Sequence, residues 1–306
     1  MVLGGTEVAR YSLAIFLILT LNFIIPRSMP GDPTLLLFGE DAAMHPEILE
    51  ELKKEFGLEK PLFEQYVLYL KNLVHGNLGF SFSFQRPVSD VVIEYLFRTL
   101  LLTIPATLFG VIFGFFAGTL IAWRESKYAV YVASIVYSAP SYWVAMLFLY
   151  FFSYKLGLLP LGGAVSSFED LNKLLLPSLV IFLHVASVNA LMGRAIVAGV
   201  LKENFVVTAI SKGLEDAVVL RRHLLKPSAA PLIALAAIEF GFAFSGSMLV
   251  EIVFSYSGLG MLAWEAVRLR DYPLIQAIFV FVSLIVVSMN AFADLLSKAL
   301  DPRLRK

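Results

Sequence analysis

The sequence predicts an all-α membrane protein with six transmembrane helices and a structured loop after the first of them. Three observations carry this reading. The chain is 58% apolar and only 16% charged, with a mean hydropathy of +0.79, whereas soluble domains run at about 45–50% and about 25%. Six apolar stretches reach the roughly 20 residues that cross a bilayer. They fall at about 9–26, 99–123, 128–153, 174–193, 232–254 and 274–296. Backbone groups in hydrocarbon must pair within their own segment, so these stretches are helices.

Composition also excludes. Formal net charge is zero, which does not suggest a nucleic-acid partner. The absence of cysteine removes disulfides, thiolate zinc sites, iron–sulfur clusters and cysteine nucleophiles. The four histidines show no metal spacing such as His-x3-His, and no Gly-x4-Gly-Lys-Ser/Thr phosphate loop occurs. No metal site and no catalytic residues are expected.

The first span, from Tyr11 to Ile25, ends in Pro26-Arg27. A cleavable signal would need a small-residue cleavage site there, so this span is read as retained. In the following loop, Pro46 opens one helix with Ile48, Leu49, Leu52 and Phe56 on a face and Gly57 as its stop. A second starts near Pro61, carries Leu62, Tyr66, Leu70 and Leu73/Val74 as its stripe, and stops at Gly76. The pair either caps the bundle or forms a docking surface; spacing does not choose.

In the second span Gly110, Gly114 and Gly118 recur every four residues. One helix face therefore lacks side chains, which predicts a close-packed helix seam. Pro140 predicts a kink in the third span. Glu239 lies deep in the fifth span, Glu251 near its outer end, and Asp294 near the inner end of the sixth. Ionisable groups in spans are expensive to bury and are functional candidates by default. Glu239 and Glu251 are taken as pathway or gating candidates. For Glu239, pairing with another helix is an equal alternative.

With the N-terminus inside, the four inner segments hold 13 Lys/Arg in 62 residues, against 11 in 111 outside. Basic residues favour the cytoplasmic side, so both termini are expected there. The Arg124/Lys127 turn and the tail residues Lys298, Arg303, Arg305 and Lys306 carry most of that inference.

The segment 194–231 is too long for a tight turn and too apolar for a linker. Residues 202–212 predict a helix with Phe205, Thr208, Ala209 and Lys212 on one face. Gly213 is placed to end it in the left-handed conformation. A second helix follows, with Glu215 and Asp216 in its first turn, Arg221, Arg222 and Lys226 in its last, and Pro227 as its stop. Such a helix–Gly–helix bracket either transmits force to spans four and five or lies as an elbow on the membrane surface.

This segment resembles the coupling loop of ABC importer permeases, in the variant of the dipeptide/oligopeptide (peptide/nickel-type) family. The matching residues are Thr208, Ala209, Lys212, Gly213, Leu214, Arg222 and His223, followed by Pro231. The resemblance covers the whole chain: PGDP at 30–33, GNLGFSF at 76–82, RPVSDVV at 86–92, VEIVFSYSGLG at 250–260, RDYP at 270–273 and DPRLR at 301–305 occur in the order of that family's first permease subunit. Val207 and Ile210 stand where the family usually has arginines, Ser257 where it usually has proline, and Pro227 is atypical.

The resemblance implies the type I ABC importer permease fold. Residues 1–98 would form the first helix and long extracellular loop, and 99–306 the five-helix core containing the 194–231 coupling loop. It implies a multi-pass protein of the plasma membrane that pairs with a second permease subunit. Two ATP-binding subunits would hold ATP and Mg, and an extracellular binding protein would deliver solute. Coupling would fall to Glu203, Phe205, Thr208, Ala209, Lys212, Gly213, Leu214, Arg222 and His223, with an elbow hydrogen bond the expected role of His223. The solute would be a peptide, with oligosaccharides or nickel as alternatives. A proton-coupled secondary transporter is the rival class. It would use Glu239 or Asp294 as carriers and show inverted repeats, and none is visible in the sequence.

Overall fold

The computed structural model describes residues 5–28, 47, 54, 60–81, 83–165 and 167–300. Of the expected helix from Pro46 to Gly57, all but Glu47 and Lys54 lie outside the described residues, as do the PGDP and DPRLR motifs. The principal helices among these residues are α1 (Gly5–Arg27), α2 (Leu62–Val74), α3 (Val88–Trp123), α4 (Lys127–Ser138), α5 (Ser141–Lys155), α6 (Leu175–Val200), α7 (Asn204–Ser211), α8 (Asp216–Val253), α9 (Leu259–Arg268) and α10 (Tyr272–Leu300). A hairpin of β1 (Phe80–Ser81) and β2 (Arg86–Pro87) precedes α3. Among the described residues, five helices are long and apolar enough to cross a membrane, and six if the bent pair α4–α5 counts as one span.

The chain forms two compact units. One comprises Gly4–Thr99 and Ser257–Val287. Chain order alone groups 1–98, so residues 257–287 are the addition. Here α1 is laced to α10 by reciprocal amide bonds: Asn22 Nδ2 donates to the Gln276 carbonyl (2.9 Å), and Gln276 Nε2 donates to the Asn22 carbonyl (3.0 Å). The packed face of α2 is polar and aromatic. Tyr66 shares a 2.7 Å hydrogen bond with Thr20, and the rings of Tyr66 and Tyr69 lie 5.1 and 5.6 Å from that of Phe23. The aliphatic stripe expected there is only partly inward, because Leu62 and Val74 are exposed.

Two distant sequence motifs meet in this unit. Ser81 Oγ, in the GNLGFSF run, donates to Asp271 Oδ2 at 2.5 Å, and Asp271 Oδ1 accepts from Leu274 N at 3.2 Å. The RDYP carboxylate thus holds the hairpin while satisfying an orphan donor at the start of α10. Burial raises the Asp271 carboxyl above its usual value of 3.8, partly offset by these hydrogen bonds.

The other unit contains Leu100–Tyr256 and Ser288–Lys306. The kink expected at Pro140 is a break: α4 and α5 meet at 93°. Ala139 takes extended angles (φ −72°, ψ 127°), as sterics before proline demand. Pro140 then starts a new helix, where its missing N–H costs nothing. The three glycines of α3 all face α6. A Cβ built on Gly114 would lie 2.5 Å from the Ala186 carbonyl oxygen, and one on Gly118 would lie 2.5 Å from that of Ala190. The two backbones touch, which only glycine permits.

Pro227 does not stop the second elbow helix. α8 runs unbroken from Asp216 to Val253 and carries both Pro227 and Pro231. The turns just before, Val219–Leu225, are wound as a π-helix. Their wider register absorbs the lost N–H and moves the carbonyl that the proline ring would otherwise strike. The elbow is therefore fused to the fifth span.

Candidate functional site

The elbow begins where α6 ends. The Val206 and Val207 amides donate to the carbonyl of Glu203 (2.9 and 3.1 Å), which sits extended at the N-cap of α7. The Thr208 hydroxyl donates back to the Asn204 carbonyl at 2.7 Å. At the far end Gly213 N donates to Ile210 O (2.9 Å) and Leu214 N to Ala209 O (3.3 Å). This pair of bonds is a Schellman closure, and Gly213 adopts the left-handed φ of +73° that it needs.

One side chain anchors the bracket. Val206 is fully buried among Ala122, Val197, Val219 and Leu224, with Trp123, Val200, Leu201 and Leu220 around them. These residues come from the ends of α3 and α6 and the start of α8, so α7 is clamped to three helices at once. Burial of such an aliphatic side chain stabilises by about 1.5–3 kcal/mol.

The predicted face Phe205–Thr208–Ala209–Lys212 is divided in the structure. Ala209 is buried beside Val206, one turn on, because a 3.6-residue period places i and i+3 together. Phe205, Thr208, Lys212, Gly213 and Leu214 are exposed, and so are Glu203 and Arg222. Val207 and Ile210 are exposed at 50% and 47%. They join Phe205 and Leu214 to give this short helix an apolar outer surface. His223 makes no hydrogen bond through its ring among the described residues. Its ring lies 6.4 Å from that of Phe205.

A second site lies inside the same unit. Glu239 on α8 lines a small cavity of about 80 Å³ with Ser141, Ile181, His184, Phe242 and Val250 among its walls. The cavity opens beside the α4–α5 break, and the Tyr137 ring lies 5.9 Å from that of His184. Glu251, one turn along α8 from Ser247, is fully buried and accepts from Ser247 Oγ at 3.4 Å. It does not line the cavity. Asp294, on α10, is half-buried and partnered. Sequence reasoning missed His184 because only carboxylates were weighed within the spans, although an imidazole there is equally ionisable. It missed Val206 because one valine among many carries no signal. No metal-binding cluster occurs among the described residues.

The family matches of this helical bundle place it in the permease class of membrane transport proteins. The fold is shared with the solved structure "Inward facing conformations of the MetNI methionine ABC transporter", at a TM-score of 0.60 and 16% identity over 70% of this chain and 98% of that one. The chain belongs to the family of binding-protein-dependent transport system inner membrane components. That family model matches residues 110–306, and the model of the family's N-terminal membrane component matches 8–103. Glutathione transport system permease protein GsiC of Escherichia coli (strain K12) is 35% identical over 295 residues, covering 95% of this chain and 94% of that protein. The Shigella boydii protein of the same name matches to the same extent. The protein is thus a permease component of an ABC importer.

Proposed function

We propose that this chain forms half of the solute pathway of an ATP-driven importer of peptides. A second permease subunit supplies the other half, and an extracellular binding protein delivers the solute. Two ATP-binding subunits hold ATP and Mg and hydrolyse the nucleotide; this chain binds no cofactor and performs no catalysis. It lies in the plasma membrane with both termini in the cytoplasm. Glutathione, named in the relatives, is a tripeptide, which supports a peptide as solute.

The observation that carries the reading is the clamped elbow. A short helix tied by Val206 to α3, α6 and α8 cannot move without moving them. Force applied to Phe205, Thr208, Lys212, Gly213 and Leu214 by a closing ATPase pair would reach the spans directly, so nucleotide would bias a two-state bundle. Glu203, Arg222 and His223 flank that surface, and Ala209 packs beneath it. Glu239 lies on the pathway side and Glu251 holds the end of the fifth span.

Because the chain has no cysteine, single cysteines at Ile210 or Leu214 give a clean test. Crosslinking should capture an ATP-binding subunit, and uptake into vesicles should fail on ATP depletion yet survive a proton ionophore. Uptake abolished by the ionophore alone would establish the proton-coupled transporter instead. Competition by oligosaccharide or nickel, with none by peptides, would reassign the solute.

A further inference from the structure

The Glu239 cavity contains more than one charge candidate, and its polar groups are complementary. Two ionisable side chains line it, Glu239 and His184, and Ser141 adds a hydroxyl. The remaining walls include Ile181, Val185, Phe242, Ala243 and Val250. The Glu239 side chain makes no hydrogen bond or ion pair among the described residues. His184 Nδ1 is buried without a hydrogen-bond partner. Two unpartnered polar groups in a largely apolar wall are costly unless something arrives to pair with them.

We propose that this cavity is a specificity site for a primary ammonium group of the solute. Such a group has three donors and no acceptor. The Glu239 carboxylate, His184 Nδ1 and the Ser141 hydroxyl are three acceptors on one wall set. An ammonium entering the cavity favours the ionised form of Glu239 and pairs with it, which selects a cation and rejects an anion. The apolar walls suit the carbon that bears the ammonium, as at the amino terminus of a peptide. The inference rests on the importer reading and adds to it the end of the peptide that is recognised and the residues that recognise it.

The test uses the full complex in proteoliposomes, with trialanine and N-acetyl-trialanine as paired probes. The wild type should take up the free-amine peptide about ten-fold or more faster, the scale of a charge-assisted hydrogen bond. E239Q should bring that ratio close to one, and E239D should keep most of it. H184A should lower the ratio, and H184N, which retains an acceptor, should restore part of it. Co-purification of the ATP-binding subunits establishes that each variant is assembled. A wild type indifferent to acetylation overturns the proposal. So does an E239Q complex that assembles, loses both uptakes equally and leaves the ratio intact; that outcome assigns Glu239 to a contact with the second permease. Uptake that ignores ATP overturns the importer reading itself, a result distinct from either.

Discussion

Replacing Gly114 by alanine should push two helices apart. A methyl group there would sit 2.5 Å from the Ala186 carbonyl oxygen, 2.7 Å from Asn189 Cβ and 3.0 Å from Ala186 Cα. Two of these neighbours are backbone and cannot rotate away. Restoring ordinary contact requires α3 and α6 to separate locally by about 1 Å, and overpacking of this kind typically costs about 1–3 kcal/mol. Alanine also recovers up to about 1 kcal/mol of helix propensity, so the net loss is smaller than the clash alone.

Gly193 provides the control on the facing helix. Its added Cβ would meet Leu232 Cδ2 at 3.7 Å and Gly118 Cα at 3.8 Å, which is ordinary contact. Gly193→Ala should therefore be neutral or slightly stabilising. The assay is thermal unfolding of the detergent-purified complex. Gly114→Ala should lower the midpoint by several degrees, roughly 2–4 °C per kcal/mol in a domain of this size, and Gly114→Val should lower it further. If Gly114→Ala and Gly193→Ala melt together, close backbone approach is not what the glycines provide.

Gly213→Ala should cost about 1 kcal/mol through backbone strain alone, since no atom lies within 4 Å of the added Cβ. Gly213→Asn should cost less, and ATP-driven uptake should follow the same order as the thermal midpoints. Val206→Ala should destabilise by about 2 kcal/mol and reduce uptake per hydrolysed ATP, measured as a coupling ratio in proteoliposomes. For Asp271, a folded pKa above the usual value means that its contribution to stability is complete below the unfolded pKa and lost as pH rises through the folded one. Asp271→Asn should remove that component from the pH dependence of unfolding; an unaltered profile would refute the burial assignment.

Much of the architecture could be read in the one-dimensional pattern. Length and apolarity define the spans because hydrocarbon leaves backbone groups no partner outside their own helix. Gly213 marks the end of α7 because a left-handed residue there is cheap only for glycine. The four-residue glycine repeat identifies a seam, since a surface without side chains can serve close approach. Boundaries around proline were less legible. A ring at Pro140 breaks its span, yet Pro227 is absorbed by π-turns; the outcome depends on how the preceding backbone can wind.

What the sequence determined by itself is the chain's solvent, its helical content and the position of its bracket, because each follows from local chemistry and periodicity. What only the tertiary structure decided is which groups meet. Ser81 and Asp271 lie 190 residues apart, His184 and Glu239 lie on different helices, and Val206 finds its pocket among three helix ends. Those encounters arise from packing between segments, and a periodic pattern along one helix specifies which face turns inward but not what it will touch.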